Sequence, residues 1–282
     1  MFSMTGWGPW SRPFCSRWIV LLAVALVPSF LAGCGTLENG RGWGQDAVWP
    51  VDLERVARAG RDAFFSPGTL VPLAGAAIFA IDDFDDRVSD WASEHNPIFG
   101  SQNGAEDASN YLSEVLYLEA VGTALATPSG DTPGVWALSK LKGGAVELGA
   151  IAATGGLTDW LKDVSNRERP DLSDDRSFPS GHSSQAFSYM TLANRNLGSI
   201  DFLEDASPLL QMGNTVMASG VAWARVEARK HHPSDVLVGA ALGHFVTAFI
   251  HDAFMNLPED GRVDFAVFST GEGAGLSLCF RF

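Results

Sequence analysis

Apolar positions along this chain recur mostly with the period of a helix, and only the tail changes to period two. Residues 110–127 carry Leu112, Val115, Leu116, Leu118, Val121 and Leu125, close to the 3.6-residue repeat. Residues 136–162 continue as a long helical stretch rich in Gly and Ala, with kinks expected at Gly143-Gly144 or Gly155-Gly156. Three further helices are expected over 182–196, 208–225 and 233–254, with Pro233 suited to a first turn. Upstream, 52–64 reads as a short amphipathic helix, broken by Pro67-Gly68, and 70–81 as an apolar, Ala-rich one. The acidic run 82–86 reads as a solvated face, and polar 87–107 as a helical turn and a loop. Val263, Phe265 and Val267 alternate with other residues, as do Leu276, Leu278, Phe280 and Phe282, across a Gly-rich turn. That is a β-hairpin signal. The expected fold is all-α: a bundle of about six core helices, the chemistry at one end, and a short C-terminal hairpin over 258–282.

The first third adds a targeting layout. Arg12 and Arg17 precede an apolar run over 18–31, and Leu31-Ala32-Gly33-Cys34 follows. A secretory signal has this order of charge, apolar run and small residues. The last four residues resemble the lipobox of bacterial lipoproteins, which implies removal of 1–33 and acylation of Cys34. An uncleaved anchor helix is the alternative. Gly35, rather than Asp, follows Cys34; by the same resemblance this argues against inner-membrane retention and for a periplasm-facing lipoprotein of a Gram-negative outer membrane. Gly-rich 34–62 then reads as a tether and lead-in segment, and 63–257 as the helical domain. Cys15 would be lost and Cys34 consumed, so Cys279 alone remains and no internal disulfide is expected. Residues 63–81 and 206–224 are uncharged and long enough to approach a membrane span. Pro67, Gly68 and Pro72 interrupt the first, and Gln211 and Asn214 the second, so the domain is read as lying outside the bilayer.

Charge narrows the ligand. The net charge is −14, from 33 acidic and 19 basic residues, which excludes a nucleic-acid partner. Yet Lys162, Arg167, Arg169, Arg225, Arg229 and Lys230 all fall within one stretch of the sequence. An anion pocket in an otherwise acidic protein has this distribution.

Three short blocks carry the chemistry. Lys162 ends a predicted helix, and Arg169 sits in a loop stiffened by Pro170. Each alone reads as a helix-ending cation or a loop ion pair, but Arg grips two phosphate oxygens where Lys acts as a point charge. Arg167 reads as a surface charge. Ser180-Gly181-His182 enters a predicted helix, whose free N–H groups bind anions. Gly181 admits a close phosphate. Ser180 either caps the helix or bonds a phosphate oxygen. His182 is a candidate general acid. Arg225 ends one helix, and His231 and Asp235 flank the start of the next. Their i, i+4 spacing suits a carboxylate on Nδ1 that orients the ring and leaves Nε2 to attack. His232 lies i, i+3 from Asp235 and competes for that role. His95, His244 and His251 read as packed or solvated, and no histidine or cysteine spacing indicates a metal.

These blocks read K-x6-R-P, P-S-G-H and R-x5-H-x3-D. Together they resemble the signature of the type 2 phosphatidic acid phosphatase family, which also contains bacterial acid phosphatases and vanadium haloperoxidases. One position departs: Ala224 stands where the family has Ser. The resemblance implies a phosphoric ester or diphosphate hydrolase without a cofactor. His231 would form a phosphohistidine and His182 protonate the leaving group. Lys162, Arg169, Arg225 and the Ser180-Gly181 amides would hold the phosphoryl oxygens. Vanadate would act as inhibitor or transition-state mimic. The implied partners are a phosphorylated small molecule or lipid and the membrane that holds Cys34. A vanadium haloperoxidase and a non-catalytic phosphate-binding or scaffold lipoprotein are the alternative functions.

Overall fold

The computed structural model describes residues 34–49 and 52–257, with the backbone of two later segments, 263–270 and 273–280. The expected signal peptide lies outside the described residues. Among those described, eight α-helices form the architecture: α1 Leu53–Phe65, α2 Pro67–Phe79, α3 Phe84–His95, α4 Gln102–Ala126, α5 Pro133–Ser165, α6 Gly181–Leu197, α7 Ser207–Glu227 and α8 Pro233–Met255. A single 3-10 turn, Asp201–Leu203, links α6 to α7. The segments Val263–Thr270 and Gly273–Phe280 run antiparallel, with Val263 opposite Phe280.

Local chemistry sets the boundaries. Asp52 caps α1 through Glu54 N–H, and Ser101 caps α4 through Gly104 N–H at 3.0 Å. Pro67, Pro133 and Pro233 sit in first turns, where a missing N–H costs nothing. Asn96, Asn166 and Asn256 end α3, α5 and α8 in the left-handed conformation.

Four expectations need correction. Pro67-Gly68 starts α2 instead of merely breaking α1. The acidic run and the polar stretch behind it hold a whole helix, α3, whose buried face is Asp85, Ser89, Ala92 and Ser93. Small polar residues hid that face from a search for large apolar ones. Helix α4 starts well before residue 110, and α5 runs unbroken for 33 residues, about 50 Å. The lead-in segment is no free tether. Its Trp43 is 1 % exposed and seated on Gly143, where a Cβ would stand 2.3 Å from the ring. Gly35 bridges Gly130, and Trp43 N–H donates to Pro128 O at 2.8 Å. Gly143 of α5 thus serves docking.

Helices α6 and α8 form the centre, with α4, α5 and α7 against α6, and α1 and α2 along α8. Helix α8 is also the one described helix long and apolar enough by itself to cross a bilayer, and over half of that stretch is buried inside the protein. Helices α1 and α2 pass the same test as a pair bent by 48°. The contact of α8 with α6 is made backbone to backbone. A Cβ on Gly239 would lie 2.6 Å from Ser180 O, and one on Gly243 2.1 Å from Ser184 O. Glycines at i and i+4 clear a groove for the first turn of α6. Six helix ends meet at that level among the described residues: the starts of α3, α4, α6 and α8 and the ends of α5 and α7.

Gly243→Ala should therefore push α6 from α8 and destabilise the fold by about 2 kcal/mol. Urea unfolding tests this; a midpoint equal to wild type would show that the helices part without cost.

Candidate active site

Backbone bonds assemble the site before any side chain acts. The carbonyl of Arg225 accepts from Lys230 N–H at 3.1 Å and His231 N–H at 3.3 Å, folding the end of α7 back on itself. Arg229 takes a positive φ of 59° in that turn. Ser180 N–H donates to Asp235 O at 3.0 Å, and Ser183 Oγ to Val236 O at 2.6 Å. Ser177 N–H donates to Arg167 O at 2.9 Å, and Ser165 Oγ to Phe178 O at 2.8 Å. The loop after α5 is so tied to the start of α6, and the start of α6 to the start of α8.

His231 is buried, and its Nδ1 lies 2.6 Å from the carbonyl of Ser177. A carbonyl accepts only, so Nδ1 carries the proton and Nε2 is left with the lone pair. This corrects the expected role of Asp235, whose carboxylate stays 4.0 Å from Nδ1. The geometry at the start of α8 explains the difference. Asp235 folds back over the first turn to accept from His232 N–H at 2.8 Å, lies 3.2 Å from His232 Nδ1, and takes the Ser177 hydroxyl at 2.6 Å. It therefore steers His231 through Ser177. His232, the rival candidate, is the N-cap of α8 and has its two ring nitrogens against Asp235 and Asp86.

Arg167 is not a plain surface charge. It donates to Asp235 at 2.7 Å, to Ser234 Oγ at 2.8 Å and to Asp85 at 2.8 Å. Nor is the acidic run only a solvated face: Asp85 is buried, and accepts from Ser234 N–H at 2.8 Å and from its hydroxyl. Hydrogen bonds from His232 and Ser177 and the charge of Arg167 hold Asp235 down to about 2, against the burial that opposes ionisation.

The cations surround the two imidazoles. Lys162 is buried, donates to Arg176 O at 2.8 Å, and has its Cε 3.7 Å from where a Gly181 Cβ would stand. Position 181 thus lies within van der Waals reach of the Lys162 stem, which brings the ammonium to the N-terminus of α6. Burial, then Arg169 and Arg176, lower Lys162 to about 8, so it stays mostly charged at neutral pH. Arg169 pairs with Asp174 at 2.5 Å and reaches Lys230 O. Arg225 is buried; one nitrogen donates to Ser109 Oγ at 3.1 Å, and its Nε has no hydrogen-bond partner. Burial first, then Lys162, Arg225 and Arg169, push His231 well below its ordinary value, against the pull of Asp235. His182, with Nε2 2.9 Å from Asn110 Oδ1, falls to about 4 through burial and then the charges of Arg225, Lys162 and Arg169. Both rings are neutral at pH 7. Ser180 Oγ accepts from Ser183 N–H at 3.4 Å, the capping geometry.

Ala224 is fully buried with Ala105 and Ala228. Among the described residues no group of three or more His, Cys, Asp or Glu side chains is arranged to hold a metal. The sequence reading missed Ser177, Asp85, Ser109 and Asn110. Asp85 touches Ser234 across 149 positions, which no local pattern announces. Ser109 and Asn110 had a signal: with Glu106 they fall on one face of a helix.

Residues 145–258 match the family model of the PAP2 superfamily. Among curated proteins, the lipid A 1-phosphatase of Porphyromonas gingivalis is 35 % identical over 96 residues, covering 34 % of this chain and 20 % of that protein. Lipid phosphate phosphatase 1 of Arabidopsis thaliana is 26 % identical over 166 residues, 46 % of this chain and 51 % of that one. The chain thus spans about a fifth and about half of these relatives. Among solved structures, a transmembrane PAP2-type phosphatidylglycerolphosphate phosphatase from Bacillus subtilis shares the fold, with TM-score 0.50 and 21 % identity. That match covers 68 % of this chain and 94 % of the other.

Arg167→Gln leaves Asp85 and Asp235 facing each other without their shared cation. A loss of about 2 kcal/mol at pH 7 is expected, kept modest because the guanidinium is partly exposed. The stabilisation from Asp235 is present above its ordinary value of 3.8 and is lost as pH falls through about 2. In the variant, whose Asp235 titrates higher, less of this stabilisation is there to lose, and its loss should be complete at higher pH. Urea unfolding from pH 2 to 7 tests both; superimposed stability curves would contradict the network.

Proposed function

We propose that the chain, whose residues 145–258 belong to the PAP2 superfamily, is a metal-independent phosphatase of lipid phosphates. Lipid pyrophosphates and other phosphomonoesters form the wider substrate class. The observation that carries the reading is a buried neutral imidazole, tied at Nδ1 to the Ser177 carbonyl, among Lys162, Arg169 and Arg225. An imidazole with a free Nε2 lone pair is a nucleophile at pH 7. The cations and the N-terminus of α6 form a preorganised cradle for three phosphoryl oxygens. The unpartnered Nε of Arg225 is a donor suited to one of them.

Nε2 of His231 attacks phosphorus in line, forming a P–N bond as the bond to the leaving oxygen breaks. His182 gives that oxygen its proton. Water then attacks phosphorus, His182 takes a proton from it, and the P–N bond breaks to release phosphate. Burial first, and then the charges of Arg225, Lys162 and Arg169, keep His182 neutral. A bound phosphate dianion offsets their field and raises the ring's pKa, so the acid is charged by substrate binding. Asp235 stabilises the His231 site through Ser177 while Arg167 keeps it ionised.

Lipid phosphates are favoured because both curated relatives are named for lipid substrates. Membrane association agrees with this and with the transmembrane neighbour. The proposed anchor is a lipid on Cys34, exposed and free at the edge of the docked lead-in segment. Gly35 after Cys34 favours the outer membrane, so the chain is proposed as a periplasm-facing lipoprotein there. Cys34→Ser should then release the protein from the membrane fraction into the soluble one; unchanged partition would refute the anchor and leave the chemistry intact.

His231→Ala should leave no measurable turnover of a lipid phosphate or a generic phosphomonoester, and wild type should keep full activity in excess chelator. Wild-type rates in the variant, or activity lost to chelator and restored by zinc or magnesium, would defeat the mechanism.

A further inference from the structure

Helix α4 lies outside residues 145–258, yet one of its faces supports the pocket. Ser109 Oγ accepts from Arg225 at 3.1 Å, Asn110 Oδ1 lies 2.9 Å from His182 Nε2, and Glu106 lies 4.0 Å from Lys230 Nζ. These three residues stand at i, i+3 and i+4, so one rigid helix bears on a cation and on the second imidazole together. The three sequence blocks supply both rings and the cations, and among the described residues the hydrogen-bond partner of His182 Nε2 comes from α4.

We propose that Asn110 is a positioning residue for His182: its amide oxygen accepts the Nε2 proton, fixing the ring's tautomer and orientation. A neutral imidazole has one N–H and two places to carry it, and the acceptor decides which. The charges facing His182 are Arg225 from α7, Lys162 from α5 and Arg169 from the loop after α5. Helix α4 faces it with a neutral amide, while its Glu106 acts on Arg225. Neutrality matters to the task. An amide oxygen holds the ring at Nε2 without strongly favouring its cation, so a proton taken up at Nδ1 stays transferable. A carboxylate at the same place would hold the imidazolium and keep its proton to higher pH. The tautomer assignment stands on geometry alone; its catalytic consequence rests on the phosphatase reading.

The test is a nitrogen-15 NMR titration of His182 in the substrate-free protein, with Asn110→Asp and Asn110→Ala beside wild type. Wild type should show the Nε2–H tautomer. Asn110→Asp should raise the His182 pKa by about 1 unit or more. Asn110→Ala should yield mixed tautomers. Where the phosphatase reading holds, Asn110→Ala should lower kcat about 10-fold with KM within about 2-fold. The alkaline limb of kcat/KM for Asn110→Asp should move up with the ring. An Nδ1–H tautomer in wild type, or a His182 titration in Asn110→Asp that superimposes on wild type, would overturn the proposal. Because the titration needs no substrate, a protein that shows the shift but turns over no phosphoester keeps this inference and loses the phosphatase reading.

Discussion

A carboxylate buried as fully as that of Asp235 has to be paired on every side, and its pairing builds the pocket. It draws in Arg167 from the loop after α5, Ser177 from the loop before α6, and His232 from the start of α8. Arg167 in turn takes Asp85 on α3. Three segments far apart in sequence, the start of α3, the loop between α5 and α6 and the start of α8, are so held to one point. The glycine groove on α8 makes this possible, because only a bare helix face lets Ser180 O and Ser184 O come close. Packing fixes the distance between the helices, and the buried charges fix their register.

What this polar layer holds is a pair of histidines whose environments differ in kind. His231 is enclosed, gives its proton to a backbone carbonyl, and is pushed far from protonation. His182 is half-buried, bonded to an amide on α4, and sensitive to the cations that an anion would neutralise. One ring is thereby suited to attack and the other to exchange protons with the leaving group. The N-termini of α6 and α8 and the basic last turns of α5 and α7 add their fields at the same end of the bundle.

Much of this was legible in the sequence. The five long helices follow from period and turn residues over 110–254, without the first two turns of α4, and the meeting of Lys162, Arg169, His182, Arg225 and His231 was expected from the resemblance of three spaced blocks. The rest was hidden for definite reasons. Helix α3 packs through Ser89, Ala92 and Ser93, which carry little hydrophobic signal. Asp85 looked solvated because its partners are distant in sequence. Asp235 was assigned to Nδ1 of His231 on spacing, but a carboxylate in the first helical turn finds the N–H of His232 first. The lead-in segment looked free because glycine signals flexibility, whereas Gly42, Gly44 and Gly143 permit close docking around Trp43.

The covalent step is the claim on which the account turns. Rapid acid-free quenching of the wild-type protein during turnover of a lipid phosphate, followed by peptide mass spectrometry, reads it directly. The account predicts a phosphoryl group on the peptide that carries His231, at a site lost when that residue alone is replaced. Turnover with no phosphorylated peptide, or with the phosphoryl group on His182 or His232, would contradict it.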